Sequence, residues 1–357
     1  MVLTIKSVKS YNANLNQVSI IRPILILLLV FYHSFAIFSG AWEPIAGIPD
    51  IPVYWWLDKL SYSFMLETFV FISGYVFGYQ IIKKIKNGEY KVFINGLLRK
   101  KFKRLIIPSV IFSFLYIVFF LSFDKPWYEI IYSLFNGVAH MWFLPMLFWC
   151  FVGVWMLEKA QLNHQWVFAI VLLASLLSFL PLPLRISNAM YYFIFFYVGY
   201  LIQRNTLSLE RLYNKKNIYS LFLLFIILFY TLTMLKTHLG TFEKDGLFAK
   251  VILAFAGNLI KLTYSSAGLA MLFAFVGFYE IRHKNRDYSQ LRQIGSSCFG
   301  VYLFQQFILI ALYRHSDFPT QLSPYLLPWA SFFLTLLFSY FASYFLLKTK
   351  VGKFLIG

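Results

Sequence analysis

Arg22-Pro-Ile-Leu-Ile-Leu-Leu-Leu-Val-Phe-Tyr-His33 is an apolar run with no group that titrates near neutral pH, closed at one end by an arginine and at the other by a histidine. With the apolar residues that flank it, the run matches the length of roughly 20 residues that a membrane-crossing helix needs. At about 100° per residue, the eleven steps from Arg22 to His33 make about three turns. Both side chains therefore emerge on one face, roughly 16 Å apart along the axis. A histidine at that depth in lipid is costly, and an intramembrane ionisable group is by default a functional candidate. The arginine stands where the helix would enter the bilayer, placed to meet an anion.

The rest of the chain has the same character. Its 357 residues are 60% hydrophobic and only 13% charged, with 21% aromatic residues and a mean hydropathy of +0.68. Soluble domains carry about 25% charged residues, so that class is excluded. The expected fold is an all-α integral membrane protein with about ten transmembrane helices, forming a single membrane-embedded domain over 1–357 with no separate soluble domain. Apolar periodicity places the spans near 20–39, 60–82, 105–122, 138–157, 166–183, 189–203, 218–235, 262–279, 297–314 and 326–347. The apolar run of the eighth begins at Leu247 and is interrupted by Asn258 and Lys261.

A net charge of +18 suggests nucleic acid, but the distribution of Lys and Arg answers otherwise. Most of the basic residues fall in segments that share one side: Lys6, Lys9 and Arg22; Lys83 to Arg104; Arg204 to Lys216; Arg282 to Arg292; and Lys348 to Lys353. The positive-inside rule makes that side cytoplasmic and both termini with it. The opposite side holds a loop from Gly40 to Lys59, rich in Trp and Pro, and a shorter one from Gly240 to Asp245. Cys150 and Cys298, each in an apolar segment, read as small core residues. No internal repeat of the kind that builds duplicated transporters is visible.

Beside His33 stand the hydroxyls of Tyr32 and Ser34. Glu67, seven residues into the second span, should lie at a depth similar to that of His33, where a carboxylate could fix the tautomer of the ring. The alternative is a Glu that snorkels or is capped by Thr68. The segment Arg99-Lys-Lys-Phe-Lys-Arg104 supplies more positive charge than orientation requires and suits a cytosolic polyanion, since arginine grips phosphate bidentately. His140-Met-Trp142-Phe143-Leu lies at the outer end of the fourth span, and the ninth carries adjacent amides, Gln305 and Gln306, read as interhelical hydrogen-bonding groups.

Taken together these segments resemble acyltransferase family three, integral membrane acyltransferases that modify extracytoplasmic glycans. Arg22-x10-His33 is similar to the family's first-helix signature, and Phe69-Val-Phe-Ile-Ser73-Gly74-Tyr75 to its aromatic-Ser-Gly-aromatic segment. Lys101-Phe-Lys-Arg104-Leu-Ile-Ile-Pro108, His140-Met-Trp142-Phe143-Leu and Gly300-Val-Tyr302-Leu follow in the family's order. Three departures stand out: Ser19 in place of a frequent acidic residue, Pro23 where a small residue is usual (acceptable in a helix's first turn), and Gln305 where His is frequent.

The resemblance implies transfer of an acyl group, acetyl above all, from cytosolic acetyl-CoA to a hydroxyl of an extracytoplasmic or lipid-linked polysaccharide. Arg22, Arg99, Lys101, Lys103 and Arg104 would hold the donor's phosphates. His33, oriented by Glu67, would act as general base or transient acyl carrier, with Ser73, Tyr75, His140 and Trp142 on the acceptor or oxyanion side. The donor is a substrate, with no metal and no permanently bound cofactor. The partners implied are acyl-CoA, the glycan acceptor, the lipid bilayer and glycan-assembly proteins, with no nucleic acid, in a bacterial inner membrane. Two rival readings stand beside it: a transporter or flippase for lipid-linked glycans, and a non-catalytic subunit of a glycan-export machine.

Overall fold

The computed structural model describes residues 15–121, 125–160, 164–204, 209–241, 246–283 and 286–357. Lys6, Lys9, Lys284 and the stretch 242–245 of the expected outer turn lie outside the described residues. Helix is the regular structure of everything described. The first helix, α1, spans Asn16–Phe35 and runs on through a short 3₁₀ turn, Ala36–Phe38. It therefore starts earlier than expected, which puts Pro23 in its interior rather than its first turn. There the ring removes one backbone donor from the helix.

The Trp- and Pro-rich stretch is half helix. Pro52 at the first turn opens α2, Pro52–Tyr62, and one break later α3 runs over Met65–Lys86. The basic segment is helical too: α4, Tyr90–Lys101, passes through a π-helical turn, Phe102–Ile106, into α5, Ile107–Phe120. Such a turn widens the helix by one residue and recurs at functional sites. A short amphipathic α6, Trp127–Asn136, has no buried residue and leads to a 3₁₀ turn, Ala139–Trp142, and α7, Phe143–Ala160. Then come α8, His164–Leu176, α9, Ile186–Gln203, and α10, Lys215–Leu239.

The interrupted eighth span is one continuous helix, α11, Gly246–Arg282. Its two polar residues do not break it because each finds a partner. Asn258 donates to the Leu176 carbonyl and the Ser178 hydroxyl, both at 3.1 Å, and Lys261 is paired as described below. The chain closes with α12, Ser289–Arg314, the single turn α13, Phe318–Gln321, α14, Leu327–Lys348, and α15, Lys350–Ile356. Eight helical stretches among the described residues are long and apolar enough to cross a membrane. The fifth and sixth expected spans are the helices α8, which is short, and α9, whose many tyrosines lower its hydropathy.

The closest helix pairing, α3 against α9, rests on two glycines. A Cβ on Gly74 would lie 1.9 Å from the Phe196 carbonyl oxygen, and one on Gly199 would lie 2.3 Å from that of Phe71. Backbones can approach this closely only where small residues face each other. The Ser73-Gly74-Tyr75 segment is thus, at its centre, a packing device. Gly74→Ala is expected to destabilise the fold by about 1–3 kcal/mol or more, since the obstacle is backbone and cannot rotate away. Gly257→Ala on α11, where an added Cβ meets nothing within 4 Å, is the control and should be neutral or stabilising. Thermal unfolding of both variants in detergent checks the contrast.

Candidate functional site

Where α1 ends, a cavity of about 500 Å³ opens, lined by His33, His140, Trp42, Trp142, Tyr302 and Gln306 among others. His33 is only 7% exposed, and among the described residues its Nδ1 has no hydrogen-bond partner. The Gln305 amide approaches the imidazole without completing a directed hydrogen bond. The His140 ring faces it with centroids 6.4 Å apart, and the Trp42 indole lies 5.9 Å away, nearly parallel. On the other side Tyr32 stacks on Tyr62 at 4.4 Å. Ser34 turns away: its hydroxyl donates to the Val30 carbonyl within the helix.

His140 is held from several directions. The amide oxygen of Gln306 accepts from its backbone N–H at 3.3 Å and lies 2.8 Å from Nδ1, so each ring nitrogen faces an oxygen and the neutral ring donates to one of the two. Its Nε2 lies 3.2 Å from the Leu303 carbonyl, and the Tyr302 hydroxyl donates to its backbone carbonyl at 2.6 Å. The turn before it is shaped by Gly137, φ +78°, and by Ala139, φ +49°, a left-handed conformation that costs a non-glycine of order 1–3 kcal/mol. That strain is held by side chains at both ends of the turn. Ser113 on α5 accepts from the Val138 N–H at 3.0 Å. Arg185, the residue before α9, donates to the carbonyls of Asn136 at 2.9 Å and Gly137 at 3.3 Å.

The structure gives Glu67 a different partner from the one expected. Fully buried on α3, it lies 3.2 Å from the ammonium of Lys261 on α11, an ion pair without the alignment of a hydrogen bond. Lys261 also donates to the Tyr192 hydroxyl at 3.2 Å and stands over the ring of Tyr191 at 4.5 Å. Glu67 is buried, but the charged group beside it is a cation on a helix far along the chain, where His33 was expected. Ser73 and Tyr75 do not line the cavity. The Ser73 hydroxyl donates to the Phe69 carbonyl inside its own helix, and the Tyr75 ring packs beside Phe71 and Phe273. His140 and Trp142 do line it.

At the other end of α1, Arg104, on the π-helical turn, acts by like-charge repulsion on both Arg22 and Lys101. Arg22 and Arg104 are exposed, and the Lys101 ammonium sits 3.8 Å over the Phe151 ring. Arg99 and Lys103 stay exposed on the same continuous helix. Among the described residues none of these five forms an ion pair. Mutually repelling cations left without carboxylates make a receptor for an anion. Between this cluster and the cavity the helix is packed: Leu25 is fully buried, and Leu29 forms part of the cavity wall.

Several contributors were not singled out in the sequence as site residues. Trp42 reads as one more aromatic of an interfacial belt, and Lys261 reads as an interruption. Arg185 and Arg314 belong to no motif singled out in the sequence. The legible hint was cost: an uncompensated cation inside an apolar run implies a partner.

No curated protein and no solved structure matches the chain. A family model does, that of the acyltransferase domain of acyltransferase family 3, over residues 15–348. That span takes in both ends of the arrangement just described, from Arg22 to the cavity and the α12 residues that hold His140, and so the chain is a member of acyltransferase family 3.

Proposed function

We propose that the protein transfers an acyl group, acetyl above all, from acyl-CoA in the cytosol to a hydroxyl of an extracytoplasmic or lipid-linked glycan. The observation that carries this reading is the two-ended layout of α1, in a chain whose family is one of acyltransferases. One end offers the unpaired cations Arg22, Lys101 and Arg104; the other offers a buried imidazole at the wall of a cavity. The cations take the donor's phosphates. The pantetheine arm then passes along the roughly 16 Å between Arg22 and His33, displacing the packed layer around Leu25 as it enters.

At the cavity His33 removes the proton of the acceptor hydroxyl while its oxygen attacks the thioester carbonyl. The C–S bond breaks, and the coenzyme A thiolate leaves and is reprotonated. The same imidazole could instead accept the acyl group first and pass it on. His140, held between the Gln306 amide and the Leu303 carbonyl, and Tyr302 keep the opposite wall in place. Both termini face the cytosol in this reading, and the membrane is the inner membrane of a bacterium.

The test is transfer of label from acetyl-labelled acetyl-CoA to glycan in membranes that contain the protein and its native acceptor. Labelled glycan supports the reading, and none, with intact protein, favours the transporter. On the donor side, Arg22→Gln is expected to raise KM for acetyl-CoA about tenfold with kcat nearly unchanged. That is the loss of one charge-assisted contact worth about 1.4 kcal/mol. Arg22→Lys should rescue only partly, because an ammonium lacks the planar fork. Unchanged KM in both variants would remove Arg22 from donor binding.

A further inference from the structure

We propose that the mouth of the cavity is a subsite for an anionic group on the acceptor sugar, taken by Arg314. The proposal rests on the acyl-transfer reading above and adds the chemical class of the acceptor. Among the described residues Arg314, the last of α12, is the only Lys or Arg that lines the cavity. Its guanidinium is positioned by a contact that carries no charge of its own. One Nη2 donates to the backbone carbonyl of Glu43 at 2.6 Å, and a carbonyl brings no charge.

The counter-ion is the Glu43 carboxylate, which also lines the cavity, 3.8 Å from Nη2 on a side chain that is 92% exposed, so an incoming anion has to displace it. A pair of that kind is weak and easily exchanged for another anion. Lys261 makes the contrast: its charge is answered inside the protein by Glu67, so it has none to offer. Arginine at a rim, held in orientation and loosely countered, is suited to grip a carboxylate or phosphate with its planar fork.

The walls between Arg314 and His33 suit a sugar ring. Gly40, φ +73°, turns the chain, and the Trp42 N–H donates to the Ala36 carbonyl at 3.1 Å, which holds the indole beside His33. The stacked Tyr32 and Tyr62 form another wall. A pyranose presents apolar C–H faces to such rings and hydroxyls at its edge. About 500 Å³ falls in the range of sites that enclose a small ligand. With its anion on Arg314, the ring lies on the aromatic walls and turns a hydroxyl toward His33. The anion is either the carboxylate of an acidic sugar or the diphosphate of a lipid-linked one.

The experiment uses the full chain in detergent and measures binding of methyl glucuronide, methyl glucoside and farnesyl diphosphate, with acetyl-CoA binding as a separate readout. Glucuronide binding at least tenfold tighter than glucoside is expected, with Arg314→Gln erasing the preference and leaving acetyl-CoA affinity unchanged. Glu43→Gln, which removes the competing carboxylate, should tighten glucuronide binding. Farnesyl diphosphate binding that depends on Arg314, without a glucuronide preference, assigns the anion to the lipid carrier. Equal binding of glucuronide and glucoside with no Arg314-dependent binding of farnesyl diphosphate, or a preference for charge that survives Arg314→Gln, overturns the proposal. Wild-type protein that fails to bind acetyl-CoA overturns the acyl-transfer reading instead.

Discussion

His33→Ala is expected to lower acyl transfer by about 10²–10⁴-fold, the range a positioned general base contributes, and by more if the imidazole carries the acyl group. The fold should tolerate the change. Among the described residues Nδ1 of His33 has no hydrogen-bond partner, so deleting the ring strands no buried donor or acceptor there, and the side chain already borders a cavity. Acetyl-CoA binding, governed by cations about three helical turns away, should persist. The measurement is label transfer with acetyl-CoA binding as control. Wild-type activity in the variant would take His33 out of the chemistry; lost binding would mean that the substitution had disturbed the fold. Donor supplied without acceptor separates the two roles. Label retained on wild-type protein but not on His33→Ala protein identifies a carrier, and label on neither identifies a base.

The two ends of α1 were legible because both depend on one helix. A period of 3.6 residues fixes that Arg22 and His33 share a face, and no tertiary contact is needed to know it. The basic run Arg99 to Arg104 was legible as charge, but its aim was not. Arg104 sits on a π-helical turn within reach of the charges of Arg22 and Lys101, and the sequence carries no mark of that turn. Ser73 and Tyr75 were drawn toward the site by the resemblance of their segment, whereas Gly74 between them serves the packing of α3 on α9. His140 and Trp142 reach the cavity only because Gly137 and Ala139 bend the chain and Arg185 holds the bend. Long-range partners such as Arg185 and Lys261 cannot be read from spacing, since the residues they serve lie about 50 and nearly 200 positions away.

The pair Glu67 and Lys261 carries the second large effect. Breaking a buried ion pair by removing one partner typically costs about 3–5 kcal/mol, because the remaining charge is left in a low-dielectric interior. Glu67 is fully buried, and among the described residues nothing gives its carboxylate a directed hydrogen bond, so it depends on the charge of the Lys261 ammonium. Glu67→Gln and Lys261→Met are therefore each expected to lower the thermal midpoint in detergent sharply. The double variant, with neither charge, should recover most of the loss. A hydrophobic replacement of a buried pair is often neutral, and the Tyr192 hydroxyl, deprived of its donor, can turn its own proton elsewhere. The same variants decide what Glu67 does for His33. If the pair is a clasp between α3 and α11, transfer at a temperature where each variant is folded stays close to wild type, with an unchanged pH profile. If Glu67 orients the imidazole, Glu67→Gln cuts kcat and moves the pH profile, and adding Lys261→Met restores stability without restoring the rate. The 3.2 Å approach of Lys261 predicts the first outcome, with rescue of the Glu67→Gln fold by a second substitution that makes the protein still less charged.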